Sequence, residues 1–378
     1  MEVCKKTVKE ERLIEIFRRL VSVDAPSFGE RQMADVLKEE LQGLGFAVKE
    51  DEAGAVYGGT AGNVYGFRKG NLSGAPLLFS THMDTVEPAL GKRAVVSEGR
   101  ITSDGTTVLG ADCMSGTAAL LEAIRELTEE GAACRDLEVI FFIGEEKHLK
   151  GSEIFDYSGV RAKESYILDL TGPVGTAACQ APTLVQFQIE VTGRSAHAGL
   201  APETGIHAIA IGARAVARMD LGHVGENMTV NIGAFHGGGS NSNIVPERCS
   251  LVGEVRSYSH EQAMEETRRI EALFREEAGK AGGTCSMTYQ VPIHAYCTPK
   301  EHASVRRFER ACEKLGLPCK LRKTFGGSDQ SNLSLHGISG LVLASAMELV
   351  HSCQEYVEVS ELVRLTEILK LMMGDASE

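Results

Sequence analysis

The chain contains the segment Leu137-Glu138-Val139-Ile140-Phe141-Phe142-Ile143-Gly144-Glu145-Glu146, an apolar run followed by a glycine and two adjacent glutamates. A run of this length and composition is typical of a strand buried inside a sheet. Two further apolar runs end in reactive side chains: residues 78–81 precede His82-Met83-Asp84, and Ser165–Leu168 precedes Asp169. Strands that alternate with loops and helices indicate an α/β sheet, whose functional groups gather at the strand ends.

The apolar spacing around these runs predicts the neighbouring elements. Helices are predicted over residues 8–20, 30–43 and 115–130, and strands over 63–67 and 76–80. A long loop carrying charged residues is expected before the third of these helices.

The middle of the chain follows another pattern. It predicts a strand, a helix, two strands, a helix and a strand over residues 183–192, 205–219, 228–235, 249–256, 261–280 and 285–290. This order is the split βαβ arrangement of a small α+β, ferredoxin-like domain. We expect residues 179–292 to form a domain inserted into an α/β domain made of residues 1–178 and 293–378.

Composition limits the classes of function. The chain has 378 residues, enough for two domains, and 52 acidic against 39 basic side chains give a formal charge of −13. An acidic surface repels phosphate backbones, so no nucleic-acid partner is expected. No apolar run reaches the roughly 20 residues that cross a bilayer, and no apolar signal core follows Met1, so we expect no membrane partner and a cytoplasmic location. The ten cysteines contain no C-x-x-C pair, which argues against a disulfide framework.

Two motifs place candidate metal ligands before the glutamate pair. Residues two apart in an extended segment point to the same side, so Asp84 can accept a hydrogen bond from one ring nitrogen of His82 while the other nitrogen binds metal. Asp112 precedes a helix predicted to begin at Met114 or Ser115, and alone it is typical of an N-cap. A carboxylate can both cap a helix and bridge two metals, so both roles stay open.

The remaining candidates complete a two-metal set. Glu145 and Glu146 repel each other unless a cation or a raised pKa relieves them, and as neighbours they point in different directions. One can therefore bind metal while the other acts as a base, and Asp169 and His351 add further donors. Nitrogen and oxygen ligands without thiolate suit two Zn²⁺ ions, although Mn²⁺ or Co²⁺ would also fit. Paired metals polarise a carbonyl under attack by water, so the set predicts a hydrolase.

These motifs, in this order and approximate spacing, resemble those of the co-catalytic zinc exopeptidases that include peptidase T, the aminoacylases and the glutamate carboxypeptidases. The resemblance runs nearly end to end and looks closest to the peptidase T-like branch. Residues 193–199 and 241–247 resemble segments of the family's lid. The resemblance implies a catalytic domain with a mostly parallel sheet and helices on both faces, a lid through which a homodimer forms, two zinc ions per chain, and small di- or tripeptide substrates.

The family's ligand roles carry over position by position. Asp112 would bridge the metals, His82 and Asp169 would complete one site, and Glu146 with His351 would complete the other.

The family's catalytic roles carry over in the same way. Glu145 would act as general base, taking a proton from the metal-activated water and passing it to the leaving amine. Asp84 would support His82, and His197 resembles the lid histidine that stabilises the developing oxyanion. The substrate-binding residues implied are Arg256, Asn231 and Gly327.

The sequence departs from the family pattern at two places. Cys113 and Met114 replace an acidic residue and a lysine, and Lys147-His148 replaces an apolar residue and a glycine. Neither change removes a ligand, but both leave two alternatives open. One is an N-acyl or carbamoyl amino-acid amidohydrolase using the same site, and the other is an inactive metal-binding homologue. Retention of Glu145 argues against the inactive form, because binding metal requires no general base. The glycine runs at 237–239 and 326–327 match no nucleotide-binding motif.

Overall fold

Residues 9–377 are described by a computed structural model, in which the chain divides into two compact units. The first unit runs to Gln180 and resumes over Cys297–Thr324 and from Ser328 onward, and the second comprises Ala181–Tyr296 and Phe325–Gly327. The chain therefore passes between the units four times. The boundaries proposed from the sequence (1–178 with 293–378, and 179–292) have no counterpart of the segment Phe325–Gly327.

The helices of the described residues begin and end as follows: α1 Glu10–Val21, α2 Arg31–Gly43, α3 Ala53–Val56, α4 Ala111–Glu129, α5 Lys150–Ile154, α6 Ala208–Val216, α7 His260–Lys280, α8 Ala303–Leu315, α9 Gln330–Leu335 and α10 Val359–Met373. None of them is long and apolar enough to cross a membrane.

The strands of the same residues are β1 Ala47–Glu50, β2 Val64–Arg68, β3 Leu77–His82, β4 Ala94–Ser97, β5 Arg100–Ser103, β6 Leu137–Phe142, β7 Glu164–Leu170, β8 Thr176–Ala181, β9 Thr183–Thr192, β10 Gly222–His223, β11 Met228–Gly237, β12 Arg248–Ser257, β13 Thr284–Ile293, β14 Tyr296–Cys297, β15 Lys320–Lys323, β16 Ser339–Ala344, β17 Met347–Glu348 and β18 Tyr356–Glu358.

Most predicted elements are present; the helix predicted over 205–219 is confirmed but shorter, and the loop predicted before α4 is wrong. The helix expected over residues 205–219 is only α6, because a 3₁₀ turn over Pro202–Thr204 comes first and His207 caps α6, its Nδ1 accepting from the backbone N–H of Ala210 at 3.3 Å. The long loop expected before α4 contains the hairpin β4–β5, which belongs to a four-stranded sheet ordered β17-β18-β5-β4. The helix predicted over 8–20 corresponds to α1, although residue 8 lies outside the described residues.

The large sheet of the first unit has a parallel centre. Its order is β1-β2-β6-β3-β7-β16-β8-β14, and β6, β3, β7 and β16 run parallel to one another. β3 and β6 are buried along their whole length, as expected for strands with apolar side chains on both faces. The register pairs His82 with Phe142, so His82 lies beside the end of the strand that Glu145 and Glu146 follow.

The same register explains why Asp169 joins this group. Ser80 pairs with Ile167, which places His82 level with Asp169 two residues further along both strands. α1, α4 and α10 pack against one another in the core of this unit. Gly116 of α4 allows a close approach to β7, because a Cβ there would lie 2.6 Å from the Leu168 Cβ and carbonyl oxygen. The beginning of α4, with Asp112, is thereby brought to the same edge of the sheet.

The second unit is an antiparallel sheet with two helices. Its strand order is β10-β11-β12-β9-β13, and α6 and α7 pack on the sheet around a core that includes Phe187, Leu251 and Phe274. Leaving out the two-residue β10, the order follows the ferredoxin-like pattern. The predicted fold class, an α/β domain with a mostly parallel central sheet plus an α+β domain, is confirmed.

Candidate metal centre

The carboxylate of Asp112 lies between two imidazoles. Its Oδ1 is 3.0 Å from Nε2 of His82, and its Oδ2 is 3.2 Å from Nε2 of His351. Nε2 of His351 also lies 3.0 Å from Oε1 of Glu146, and Nε2 of His82 lies 3.9 Å from Oδ1 of Asp169. The five predicted ligands therefore converge, with one histidine on either side of a shared aspartate.

The donor set fits two divalent metal ions. Donor atoms of His82, Asp112 and Asp169, together with the Cys113 thiol, lie within 4.8 Å of one another, and so do those of Asp112, Glu146 and His351. Two ligand atoms on a tetrahedral zinc, each about 2.0–2.1 Å from the metal, are about 3.3 Å apart, which is close to the separations found here. Oε1 of Glu146 is buried, and Nε2 of His351 lies 3.0 Å from it, as expected of two ligand atoms that share one cation.

The backbone around Asp112 is held by a residue that the sequence analysis missed. Gly110 has φ +79°, and Asp112 departs from helical geometry with φ −81° and ψ 99°. Glu355 accepts hydrogen bonds from the backbone N–H groups of Gly110 (2.7 Å) and Asp112 (2.9 Å), and burial raises its pKa to about 7. In the described part of the chain no backbone N–H donates to the Asp112 carboxylate, so the N-cap alternative is not observed; that carboxylate faces the histidines instead.

Glu145 and Glu146 lie in a turn that two buried carboxylates hold. Asp84 accepts the backbone N–H groups of Glu145 (3.0 Å) and Glu146 (3.2 Å), and Glu30 accepts that of Gly144 (3.0 Å). The turn ends with His148 and Leu149 at φ +66° and +60°. Left-handed conformations of non-glycine residues cost on the order of 1–3 kcal/mol each, so they persist only where the surroundings hold them.

His82 is held in the tautomer that metal binding requires. Its Nδ1 lies 2.9 Å from the backbone carbonyl oxygen of Asp84, which can only accept, so Nδ1 carries a hydrogen and Nε2 is the ring nitrogen that faces Asp112 and is available to a metal. The partner differs from the expected one, because the Asp84 carboxylate lies 3.5 Å from Nδ1 and is committed to Ser27, Glu145 and Glu146.

The electrostatics of the cluster favour a bound cation. Burial raises the pKa of Glu145 well above its usual range, and the neighbouring Asp169 raises it further. Burial and the Asp112 charge likewise raise the pKa of Asp169. Hydrogen bonds to Asp112 and Glu146 raise the pKa of His351 to about 10, so a proton is bound where no metal compensates these carboxylates.

The two departures from the family pattern lie around this centre. Cys113 is buried, and its thiol donates to the Leu168 carbonyl oxygen at 2.7 Å. Met114 is buried in the core, whereas Lys147 and His148 are exposed. Cys113 therefore has a partner of its own beside the ligands.

The other predicted residues belong to the second unit. His197 is exposed, and its Nδ1 faces the backbone N–H groups of Gly199 (3.2 Å) and Leu200 (3.1 Å). Because both neighbours donate, Nδ1 is an acceptor and the hydrogen lies on Nε2. Asn231 lines a concavity of about 560 Å³ on the sheet, together with polar side chains such as Gln188 and Thr288.

Arg256 contacts the segment Phe325–Gly327, which contains Gly327. Arg256 pairs with Glu254 at 2.8 Å and donates to the Phe325 carbonyl oxygen at 2.6 Å, so its guanidinium already has partners inside the unit. A Cβ on Gly327 would lie 2.2 Å from Cδ1 of Ile293, so the end of that side chain would have to move to admit it.

Comparison with known proteins identifies relatives. Residues 63–198 match the model of peptidase family M28, and residues 182–282 match that of the peptidase dimerisation domain. The uncharacterized protein YqjE of Bacillus subtilis is 36% identical over 98% of this chain and 100% of its own length. Peptidase T of Clostridium perfringens is 25% identical over 75% of this chain and 71% of its own.

Two solved structures match over almost the whole chain. Aminopeptidase PepT from Bacillus cereus has a TM-score of 0.94 at 35% identity, covering 98% of this chain and 100% of that one. A tripeptidase from Staphylococcus aureus has a TM-score of 0.95 at 32% identity, covering 97% and 98%. The ligand geometry and these full-length relatives agree, and the chain belongs to the peptidase T-like family of metal-dependent exopeptidases.

Proposed function

We propose that this protein is a two-metal aminopeptidase that cleaves short peptides, tripeptides foremost. The observation that carries the proposal is Asp112, whose two carboxylate oxygens each face the Nε2 atom of a different histidine. A carboxylate shared in this way suits a bridge between two metals. The aminopeptidase and the tripeptidase among the full-length relatives support the choice of substrate.

His82 and Asp169 would hold one metal, Glu146 and His351 the other, and Asp112 both. Zn²⁺ is the proposed ion, because imidazole and carboxylate donors suit it and no thiolate is needed. When bound, two such ions supply Lewis acidity to the scissile carbonyl and acidify the attacking water.

Glu145 moves the proton in this mechanism. Its carboxylate lies within 4.8 Å of donor atoms of His82 and Glu146, yet it belongs to neither proposed ligand group. The raised pKa makes it a better proton acceptor than an exposed glutamate would be. Glu145 therefore takes the proton of the attacking water and returns it to the leaving amine. Asp84 contributes by holding the backbone N–H of both glutamates.

The roles of the second unit remain proposals from resemblance. His197, with its hydrogen on Nε2, is suited to donate to a developing oxyanion. Asn231, Arg256 and Gly327 stay candidates for substrate binding, although the present partners of Arg256 favour a role in holding the segment Phe325–Gly327.

The alternative activities are less well supported. A hydantoinase/carbamoylase-family amidase from Burkholderia multivorans shares the fold with a TM-score of 0.70 but only 17% identity. N-acyl or carbamoyl amino-acid hydrolysis is therefore not favoured over peptide hydrolysis. The intact ligand set and Glu145 argue against an inactive homologue.

The proposal also covers the oligomeric state of the protein and its location in the cell. The match to the peptidase dimerisation domain over residues 182–282 supports a homodimer formed through the second unit. The cysteines within residues 9–377 are all free, which fits a reducing compartment such as the cytoplasm.

The test combines metal analysis with a substrate panel. Protein is assayed as purified, after chelation and after zinc re-addition, on tripeptides with free, acetylated or amidated ends and on N-acetyl amino acids. We expect two metals per chain and cleavage that requires a free amino terminus and follows the metal content. Cleavage of N-acetyl amino acids alone would favour the amidohydrolase, and no stoichiometric metal after zinc re-addition would overturn the proposal.

A further inference from the structure

The turn that carries Glu145 and Glu146 closes on its own backbone. The Leu149 N–H donates to the Glu145 carbonyl (2.8 Å), the Lys150 N–H to that of Gly144 (3.1 Å), and the Gly151 N–H to that of Ile143 (2.9 Å). Because His148 and Leu149 adopt left-handed conformations, the turn depends on contacts from outside it.

Ser152 supplies such a contact from the first turn of α5. Its buried hydroxyl lies 2.6 Å from Oδ1 of Asp329 and 3.2 Å from the Leu149 carbonyl. A hydroxyl has only one hydrogen to donate. The Asp329 carboxylate is both the nearer and the stronger acceptor, so Ser152 donates to it. The Asn332 amide donates to Ser152 Oγ at 2.8 Å and lies 3.5 Å from the Leu149 carbonyl. Asp329, Ser152 and Asn332 therefore form one network against the end of the turn.

The Asp329 carboxylate is an unusual choice for packing alone. Only 1% of the residue is exposed, and no Lys, Arg or His nitrogen of residues 9–377 lies within ion-pair distance of it. Burying a carboxylate without an ionic partner is costly, and burial raises its pKa to about 7. Its burial also argues against a direct contact between Asp329 and substrate.

We propose that Asp329 is a positioning residue that holds the Glu145–Glu146 turn through Ser152, an inference that rests on the proposed function of those glutamates. Asp329 touches neither substrate nor metal. It acts by fixing the point at which the turn joins α5, and so the direction in which the general base faces.

The experiment compares zinc-loaded Asp329→Ala and Ser152→Ala with the control Glu164→Gln. Glu164 is a similarly buried carboxylate at the opposite end of β7 from Asp169, paired with Arg307 at 3.0 Å. Hydrogen–deuterium exchange of residues 143–154 measures how firmly the turn is held, without any assay of activity. Steady-state kinetics on a tripeptide are measured for each variant alone and combined with Glu145→Gln.

We expect faster exchange in residues 143–154 for both network variants but not for Glu164→Gln. We also expect kcat to fall about 10–100-fold with KM and metal content little changed, as for other residues that support metal-site groups. This loss should vanish in the Glu145→Gln background, because Asp329 acts through Glu145.

The exchange readout separates this proposal from the proposed function, since an enzyme inactive on peptides would still show a loosened turn. If Asp329→Ala does not fold, Ser152→Ala decides, because it removes the same bond. Unchanged exchange and kcat in a folded, metal-loaded variant would overturn the proposal. A loss of activity that persists in full beside Glu145→Gln would overturn it as well.

Discussion

Replacing Glu30 with glutamine should change how the stability of the protein depends on pH. Glu30 is fully buried; its Oε1 accepts the backbone N–H groups of Phe28 (2.8 Å) and Gly144 (3.0 Å), and its Oε2 has no hydrogen-bond partner in the described residues. Burial, reinforced by the nearby charge of Asp84, raises its pKa from the ordinary 4.5 to about 7.

The sign follows from proton binding. Below pH 4.5 the folded and unfolded chains both hold this proton, and the contribution of Glu30 to stability is fully present. Between pH 4.5 and 7 the unfolded chain loses the proton while the folded chain keeps it, so stability falls as pH rises. Raising the pKa of Glu30 from 4.5 to about 7, at about 1.36 kcal/mol for each pH unit between these values, sets an upper limit of about 3 kcal/mol.

Glutamine keeps an oxygen for the two backbone N–H groups but does not titrate. The free energy of unfolding of Glu30→Gln, relative to the parent protein, should therefore rise by up to about 3 kcal/mol from pH 4.5 to 7.5. The assay is urea unfolding followed by circular dichroism, with chelator present at every pH so that metal binding does not contribute. Glu39→Gln, an exposed carboxylate of α2, is the matched control. A difference that stays flat, or falls with pH, would refute the reasoning.

Three further outcomes are expected. Glu145→Gln should lower kcat roughly 10²–10⁴-fold while metal analysis still finds two ions, because the residue moves a proton rather than binding metal; lost metal would contradict this. His351→Ala should reduce the bound metal from two ions to one, measured by mass spectrometry of the loaded protein, and two retained ions would remove His351 from the ligand set. Gly340→Ala should lower the free energy of unfolding by about 1–3 kcal/mol in thermal or urea unfolding, because the new Cβ would lie 2.0 Å from the backbone carbonyl oxygen of Ser165 on the neighbouring strand. Gly159→Ala, whose Cβ meets nothing within 4 Å, is its control, and equal stability of the two variants would contradict the packing argument.

The predicted ligands converge because their positions follow from strand geometry. An apolar run ending in a polar side chain can be found by its length and composition, and parallel neighbours bring such ends to one edge of the sheet. His82, Glu146 and Asp169 are close for this reason. His351 has no such signal, since it follows a two-residue strand and has φ +60°, and only the resemblance identified it.

The supporting carboxylates could not be predicted in the same way. Glu30, Glu355 and Asp329 act on backbone or side-chain groups between 114 and 245 residues away in the sequence. A glutamate or aspartate at a helix start or in a loop is ordinarily solvated, and no local pattern distinguishes those that are buried. The loop predicted before α4 misses the hairpin β4–β5 for a related reason, because this short hairpin gains its partner, β18, only from the end of the chain.

The segment Phe325–Gly327 limits how the second unit can be moved between proteins. Its phenyl ring packs against Tyr258 and His223, with ring centroids 4.8 and 5.9 Å apart, and its carbonyl satisfies Arg256. A protein made of Ala181–Tyr296 alone would expose the rings of Tyr258 and His223. The guanidinium of Arg256 would also lose the carbonyl oxygen to which it donates. The second unit is therefore discontinuous in sequence. Transferring it to another catalytic domain requires the three residues Phe325–Gly327 as well as Ala181–Tyr296.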